Sequence, residues 1–350
     1  MPLVDRLREA VEGLTPGYFA LVMASGILSI GMDLRGHRAL SVLLLGFGAA
    51  GFVVLLVLNV WRFLAYRSAI SADFHDPRRA FGFFTFVAGI NVLGVRLGMA
   101  GYEPVTATLL VISGVAWFVL GYVVPWTAVL GPQAQRPVLA KANGTWFIWA
   151  VASQSVATAA ASLEPVATIG RDELAVLAVL SWSVGVFLYA SVGVFVALRL
   201  MLYEFGPEEL TPPYWVAMGA LAITVLAGAR IVEMTDAPMA VATRGLVAGL
   251  AVVAWAFATW LIPVLVAAGW WRHVGQGIPV RYDATLWSMI FPLGMYGVAG
   301  IYLGQADRLP LVGRVGVVEL WFAMGAWLVV TLAMGAHVRS TVFAQRRLVS

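Results

Sequence analysis

The sequence predicts an all-α membrane protein of ten transmembrane helices, and three observations carry that reading. Hydrophobic residues make up 61% of the 350, and charged residues only 11%. The apolar residues fall into blocks of about twenty, the length that crosses a hydrocarbon core of roughly 30 Å. Charged or Pro/Gly-rich breaks separate these blocks, and ten can be counted along the chain.

Taken in order, the chain opens with a segment at 1–13. Leu3, Leu7, Ala10, Val11 and Leu14 recur there at helical spacing, which predicts a short amphipathic helix lying at the membrane interface. It lacks the basic region, apolar run and small-residue cleavage site of a secretory signal, so the first span is expected to stay in the mature protein. The transmembrane domain, 14–341, follows. Its first span, 14–32, contains GYFALVMASGILSIG, and its second, 39–61, contains SVLLLGFGAAGFVVLLVLNVW. The third, 79–98, carries FGFFTFVAGINVLG, and the fourth, 104–130, carries TATLLVISGVAWFVLGYVVPW. The fifth and sixth are 143–162, with TWFIWAVASQSVATAA, and 173–202; the seventh and eighth are 213–233, with YWVAMGALAITVLAG, and 242–271. The ninth, 284–304, contains WSMIFPLGMYGVAG, the tenth is 314–338, and a tail at 342–350 ends the chain.

Odd and even spans differ in kind. Even spans are long and rich in Leu, Val and Trp, as lipid-facing helices should be. Odd spans are shorter, full of small or polar residues, and each opens on aromatics: Tyr18 and Phe19, Phe83 and Phe84, Trp146 and Phe147, Tyr214 and Trp215, and Trp287. These openings recur every 63 to 72 residues, which predicts five tandem hairpins, each an inner helix followed by an outer one.

The ninth span poses a sharper question, because Pro292 sits in its middle, preceded by Phe291 and followed by Gly294, Gly297 and Gly300. Proline removes a backbone donor and is tolerated in lipid only where protein or water satisfies the freed carbonyl, so this helix should face inward. Aligned on the aromatic openings, Phe291 falls level with Met23, Ala88, Val151 and Gly219, one bulky ring among mostly smaller neighbours. Hydrophobic constrictions of that kind close pores, although Phe beside Pro also serves simple packing. Ser25, Thr85, Asn91, Ser153, Gln154, Ser155 and Ser288 all lie on odd spans; they predict either interhelical hydrogen bonds or, taken together, a polar axial path.

Arg96 and Arg230 lie near the ends of the third and seventh spans, close in depth to Asp33 and Glu233. Both readings stay open: they attract and bind an anion, or they pair with those carboxylates. Of the 22 Lys and Arg residues, fourteen fall on the side of the termini, which predicts that both termini are cytoplasmic. That bias accounts for the net charge of +4, so no nucleic-acid partner is expected. With no cysteine, thiolate chemistry and disulfides are excluded. The four histidines, His37, His75, His273 and His337, show no ligand spacing, so neither a metal nor another cofactor is expected. No acidic or His cluster suggests an enzyme.

The stretches TPGYFALVMASGILSIG at 15–31, FGFFTFVAGINVLG at 81–94 and LWSMIFPLGMYG at 286–297 resemble the TehA-type tellurite-resistance and four-carbon dicarboxylate transporter family, which includes malic-acid transporters and plant slow anion channels. The resemblance implies five pseudo-symmetric hairpins with the odd helices around a pore, a homotrimer in the plasma or inner membrane, and a Phe at the position of Phe291 as gate. It implies passive transport of chloride, nitrate or a dicarboxylate such as malate. A proton-coupled dicarboxylate carrier or a tellurite-resistance efflux protein is the alternative, and a ligand-binding receptor a more distant one. Two departures stand out. Only the ninth span has the mid-membrane proline common in the family's inner helices, and the short termini carry no counterpart of phosphorylation-controlled tails.

Overall fold

The computed structural model describes residues 3–234, 237–306 and 308–343. Of the tail expected at 342–350, residues 344–350, with Arg346 and Arg347, lie outside the described residues. Among the described residues ten helices are long and apolar enough to cross a membrane. They alternate as inner and outer partners: α2 (Ala20–Leu34) and α3 (Arg38–Ala65), α5 (Phe84–Gly98) and α6 (Glu103–Pro125), α7 (Phe147–Leu163) and α8 (Arg171–Leu202), α9 (Val216–Val232) and α10 (Pro238–Trp270), α11 (Trp287–Ala306) and α12 (Pro310–Val338). Two helices lie outside this scheme. The amphipathic helix α1 spans Leu3–Glu12, and α4, Arg67–His75, fills the link between the first two hairpins. The sequence reading has no counterpart for α4, a short, mostly polar segment without the length of a span.

Composition decides which helices go inside. The inner spans are 78–89% buried by their own chain, the outer ones 17–22%. Each inner helix packs against its outer partner and against two other inner helices. The order α2, α5, α7, α9, α11 returns to α2, which closes a five-membered ring. Every inner helix begins on the face where α1 lies, each through one turn of tighter helix such as Pro16–Phe19 or Ala80–Phe83. Proline at the start of a helix carries no penalty, because the donor it lacks would have had no partner there.

Two clusters fix that face. Asp73 of α4 accepts from Arg62 Nη1 of α3 at 2.7 Å and from Arg79 Nε at 2.5 Å. The same two arginines donate to the carbonyls of Glu12 and Leu14, so α1 is tied to the first hairpin. At the start of α11, the Tyr18 and Tyr282 hydroxyls lie 2.7 Å apart and Trp287 Nε1 donates to the Tyr282 hydroxyl at 3.2 Å. Burial, and then the bond with Tyr18, push the Tyr282 phenol above the ordinary tyrosine range, which keeps it neutral and hydrogen-bonded.

The glycines of α11 now have an explanation. Gly294 faces Ile27 and Leu28 of α2, while Gly297, Gly300 and Gly304 form a seam against Gly316, Leu320 and Gly313 of α12. Lipid supplies no hydrophobic force between helices, so close backbone approach through small residues provides the packing energy. A Cβ on Gly316 would sit 2.6 Å from the carbonyl oxygen of Gly297, whereas one on Gly325 of the same helix meets nothing within 4 Å. Gly316→Val is therefore expected to destabilise the purified protein by at least the ~1–3 kcal/mol typical of overpacking. Gly325→Ala should leave the melting temperature within error, and equal melting curves for both variants would contradict the seam.

Candidate functional site

A cavity of about 20 Å³ lies on the axis of the inner ring, and all five inner helices line it. Its first tier is Ile27, Val92, Ser155, Ile223 and Met295. Each stands four residues, one helical turn, beyond the row Met23, Ala88, Val151, Gly219 and Phe291. Above them come Ile30, Val95, Thr158 and Leu226, and then Ser162, Arg230 and Tyr302. The cavity has room for about one water molecule.

The row beneath is buried. Met23 is 2% exposed, Ala88 and Val151 0%, and Phe291 1%. Gly219 is also buried, and a Cβ there would lie 2.8 Å from Cγ of Pro292, so the missing side chain is what admits the proline ring. Phe291 cannot face lipid. It lies one turn from Met295, on nearly the same face of α11, and Met295 reaches the cavity.

The polar residues of the inner helices divide according to direction. Asn91 lines the cavity; its Nδ2 donates to Ser155 Oγ at 2.9 Å and its Oδ1 accepts from Ser113 Oγ of α6 at 2.6 Å. Five of the seven, Ser25, Gln154, Thr85, Ser153 and Ser288, do not line the cavity. Ser25 Oγ donates to the Leu21 carbonyl and accepts from Trp327 Nε1 of α12 at 2.9 Å. Gln154 Nε2 donates to the Trp182 carbonyl of α8 at 3.1 Å. Thr85 Oγ1 donates to the carbonyls of Pro16 and Gly82, joining the starts of α2 and α5. Ser288 is buried at the start of α11, between Trp287 and Phe291, and does not line the cavity.

The outward-turned groups belong to a pattern that hydropathy did not reveal. Each outer helix sends a mid-span aromatic to the inner helix of the next hairpin. Trp117 Nε1 donates to Ser153 Oγ at 2.9 Å, Trp182 Nε1 to the Thr224 carbonyl at 3.1 Å, and Trp327 Nε1 to Ser25 Oγ at 2.9 Å. Trp255 stacks on Tyr296, whose hydroxyl also meets Thr259 at 2.7 Å, and Phe52 stacks on Phe86. The four tryptophans recur every 65 to 73 residues, a signal present in the sequence.

The two arginines also part company. Arg96 is 4% exposed and donates to Ser29, Ser41 and Asp33 at 2.9–3.1 Å; it does not line the cavity. Of the two readings left open for Arg96, its contacts are those of pairing: serines and a carboxylate accept from its Nε and Nη2. Arg230 does line the cavity, with Nη1 2.8 Å from Glu233 Oε2, Nε 3.4 Å from Ser162 Oγ, and its guanidinium 5.5 Å from the Tyr302 ring centre.

The pattern of the voltage-dependent anion channel family matches residues 13–334, nearly the whole ten-helix chain. The chain belongs to that family. An uncharacterized membrane protein of Mycobacterium tuberculosis is 59% identical over 156 residues, covering 45% of this chain and 79% of its own. Two proteins of Methanocaldococcus jannaschii, each described as an uncharacterized transporter, are 21% identical over 328 and 332 residues, 91% and 92% of this chain and 92% and 94% of theirs. The voltage-dependent anion channel fold is thus a multi-pass membrane one, and the comparisons point to transport rather than to enzymatic chemistry.

If the tryptophans brace one hairpin to the next, Trp327→Phe and Ser25→Ala should be coupled. A double-mutant cycle on thermal or denaturant stability is expected to give about 0.6 kcal/mol, the average for hydrogen bonds between membrane helices. A coupling indistinguishable from zero would contradict the brace.

Proposed function

We propose that this protein passes small anions passively along the axis of the inner ring, with the Phe291 side chain as the constriction that closes it. The observation that carries this reading is the tier Ile27, Val92, Ser155, Ile223 and Met295: one residue from each inner helix lines a single cavity directly above the row of Phe291. Apolar walls around a water-wide space shed water readily, and a dewetted constriction blocks ions without filling the passage completely.

Electrostatics favours anions. All five inner helices direct their N-termini, the positive ends of their dipoles, toward the α1 face. Arg230 is the only Lys or Arg among the cavity-lining residues. Among the described lining residues none is Asp, Glu or His, so the wall they form offers a proton-coupled carrier no titrating carboxylate or imidazole. The excess of Lys and Arg on the α1 face supports a cytoplasmic location for it. Family resemblance supports a homotrimer in the plasma or inner membrane with one pathway per subunit. Chloride, nitrate and malate are the candidate anions, and malate requires a wider opening than the closed cavity provides.

Reconstitution in liposomes tests the reading. Phe291→Ala should raise chloride or nitrate flux about tenfold or more over wild type, a barrier reduction of at least ~1.4 kcal/mol. Phe291→Leu should raise it less. Absence of anion flux from wild type and both variants would overturn the proposal, as would flux that follows an imposed pH gradient.

A further inference from the structure

We propose that the Arg230 end of the cavity is a site for one monovalent anion, and that the side chain of Glu233 is its resident occupant, displaced when an anion moves through. This rests on the pathway proposed above and adds a competitor built into the chain.

The two arginines supply the contrast on which the inference stands. Arg96 makes four hydrogen bonds through Nε and Nη2, to Ser29, Ser41 and Asp33, with its side chain 5% exposed and its partner Asp33 28%. Arg230 is 25% exposed and Glu233 40%, and a single contact, Nη1 to Oε2 at 2.8 Å, joins them. Exposed pairs of this kind contribute little to stability and separate readily. Glu233 lies three residues after Arg230, at the C-terminal end of α9, so its carboxylate can leave by side-chain rotation while the helix stays in place. The negative end of the helix dipole disfavours any anion there, so Arg230 is the group that holds either occupant.

The remaining surroundings of the guanidinium suit an anion. Ser162 Oγ lies 3.4 Å from Nε, the Tyr302 ring packs under the cation, and Thr158, Ser155 and Asn91 continue down the cavity wall. Glu233 itself shows that the guanidinium accommodates a carboxylate oxygen. With one cation and no carboxylate among the described lining residues, a single negative charge balances them; a dianion would leave an excess charge at membrane depth.

The test measures chloride flux in liposomes against chloride concentration for wild type, Glu233→Gln, Arg230→Gln and the double variant. Removing the competitor in Glu233→Gln is expected to lower the half-saturating concentration about two- to fivefold, the range that an exposed ion pair sets. Arg230→Gln should raise it, and the double variant should match Arg230→Gln alone. Unchanged half-saturation in Glu233→Gln, or a rise, overturns the inference even when wild type conducts, because Glu233 would then merely hold Arg230 in place. Melting temperature against nitrate concentration gives an answer independent of flux, since bound anion stabilises the fold by mass action. Stabilisation at lower nitrate in Glu233→Gln than in wild type supports the site, and superimposed curves overturn it. Absence of flux from every protein would count against the pathway, while the melting titration would still decide this site.

Discussion

In a hydrocarbon core a polar group without a partner costs several kcal/mol, and this single constraint organises the molecule. The five inner helices carry hydroxyls, amides and glycines that cannot face lipid, so each must be enclosed. The outer helices enclose them across the seams between hairpins: Trp117 reaches Ser153, Trp182 the Thr224 carbonyl, and Trp327 returns from the last hairpin to Ser25 of the first. That last bond helps close the ring. With Ser25 and Ser153 engaged as braces, seven of the thirteen described side chains on the cavity wall are Ile, Val, Leu or Met. The narrow, largely apolar first tier of the cavity is thus a by-product of satisfying the inner helices in lipid.

Pro292 shows the same economy on a smaller scale. Its ring occupies the space that a side chain at position 219 would fill, which brings α9 and α11 together at the level of Phe291. The glycine seam on the other side of α11 lets α12 approach to backbone contact. Between these two faces the aromatic ring has little room. Its burial follows from packing on both flanks, and its proposed role follows from its place one turn below the cavity.

Much of this was legible in the sequence. Span lengths follow from bilayer thickness, and the division into inner and outer helices follows from residue size and polarity. The register of the five repeats follows from the aromatic openings: counted four residues past the Phe291 row, it picks one cavity-lining residue from every inner helix. Side-chain direction was not legible. Consecutive helical residues lie about 100° apart, so Ser153, Gln154 and Ser155 cannot all face one axis, and only Ser155 lines the cavity. Depth likewise failed to separate Arg96 from Arg230, because the difference lies in Ser29 and Ser41, whose hydroxyls approach Arg96 only after α2 and α3 have packed. The tryptophan repeat was visible but had no meaning until its partners on the following hairpin were known.

The central claim is that the inner ring encloses a passage interrupted at one level. The chain contains no cysteine, so single cysteines can report on that passage against a blank background. Ser155→Cys and Ile223→Cys place thiols just above the Phe291 row, where silver supplied as the slender dicyanoargentate anion can reach them by an anion pathway and exchange a cyanide for the thiolate. With Phe291 present, both thiols should react when silver is added on the face opposite α1 and stay protected when it is added on the α1 face. Protection should be lost in the Phe291→Ala background. Reaction from the α1 face with Phe291 intact, or protection from both faces in its absence, would contradict the account.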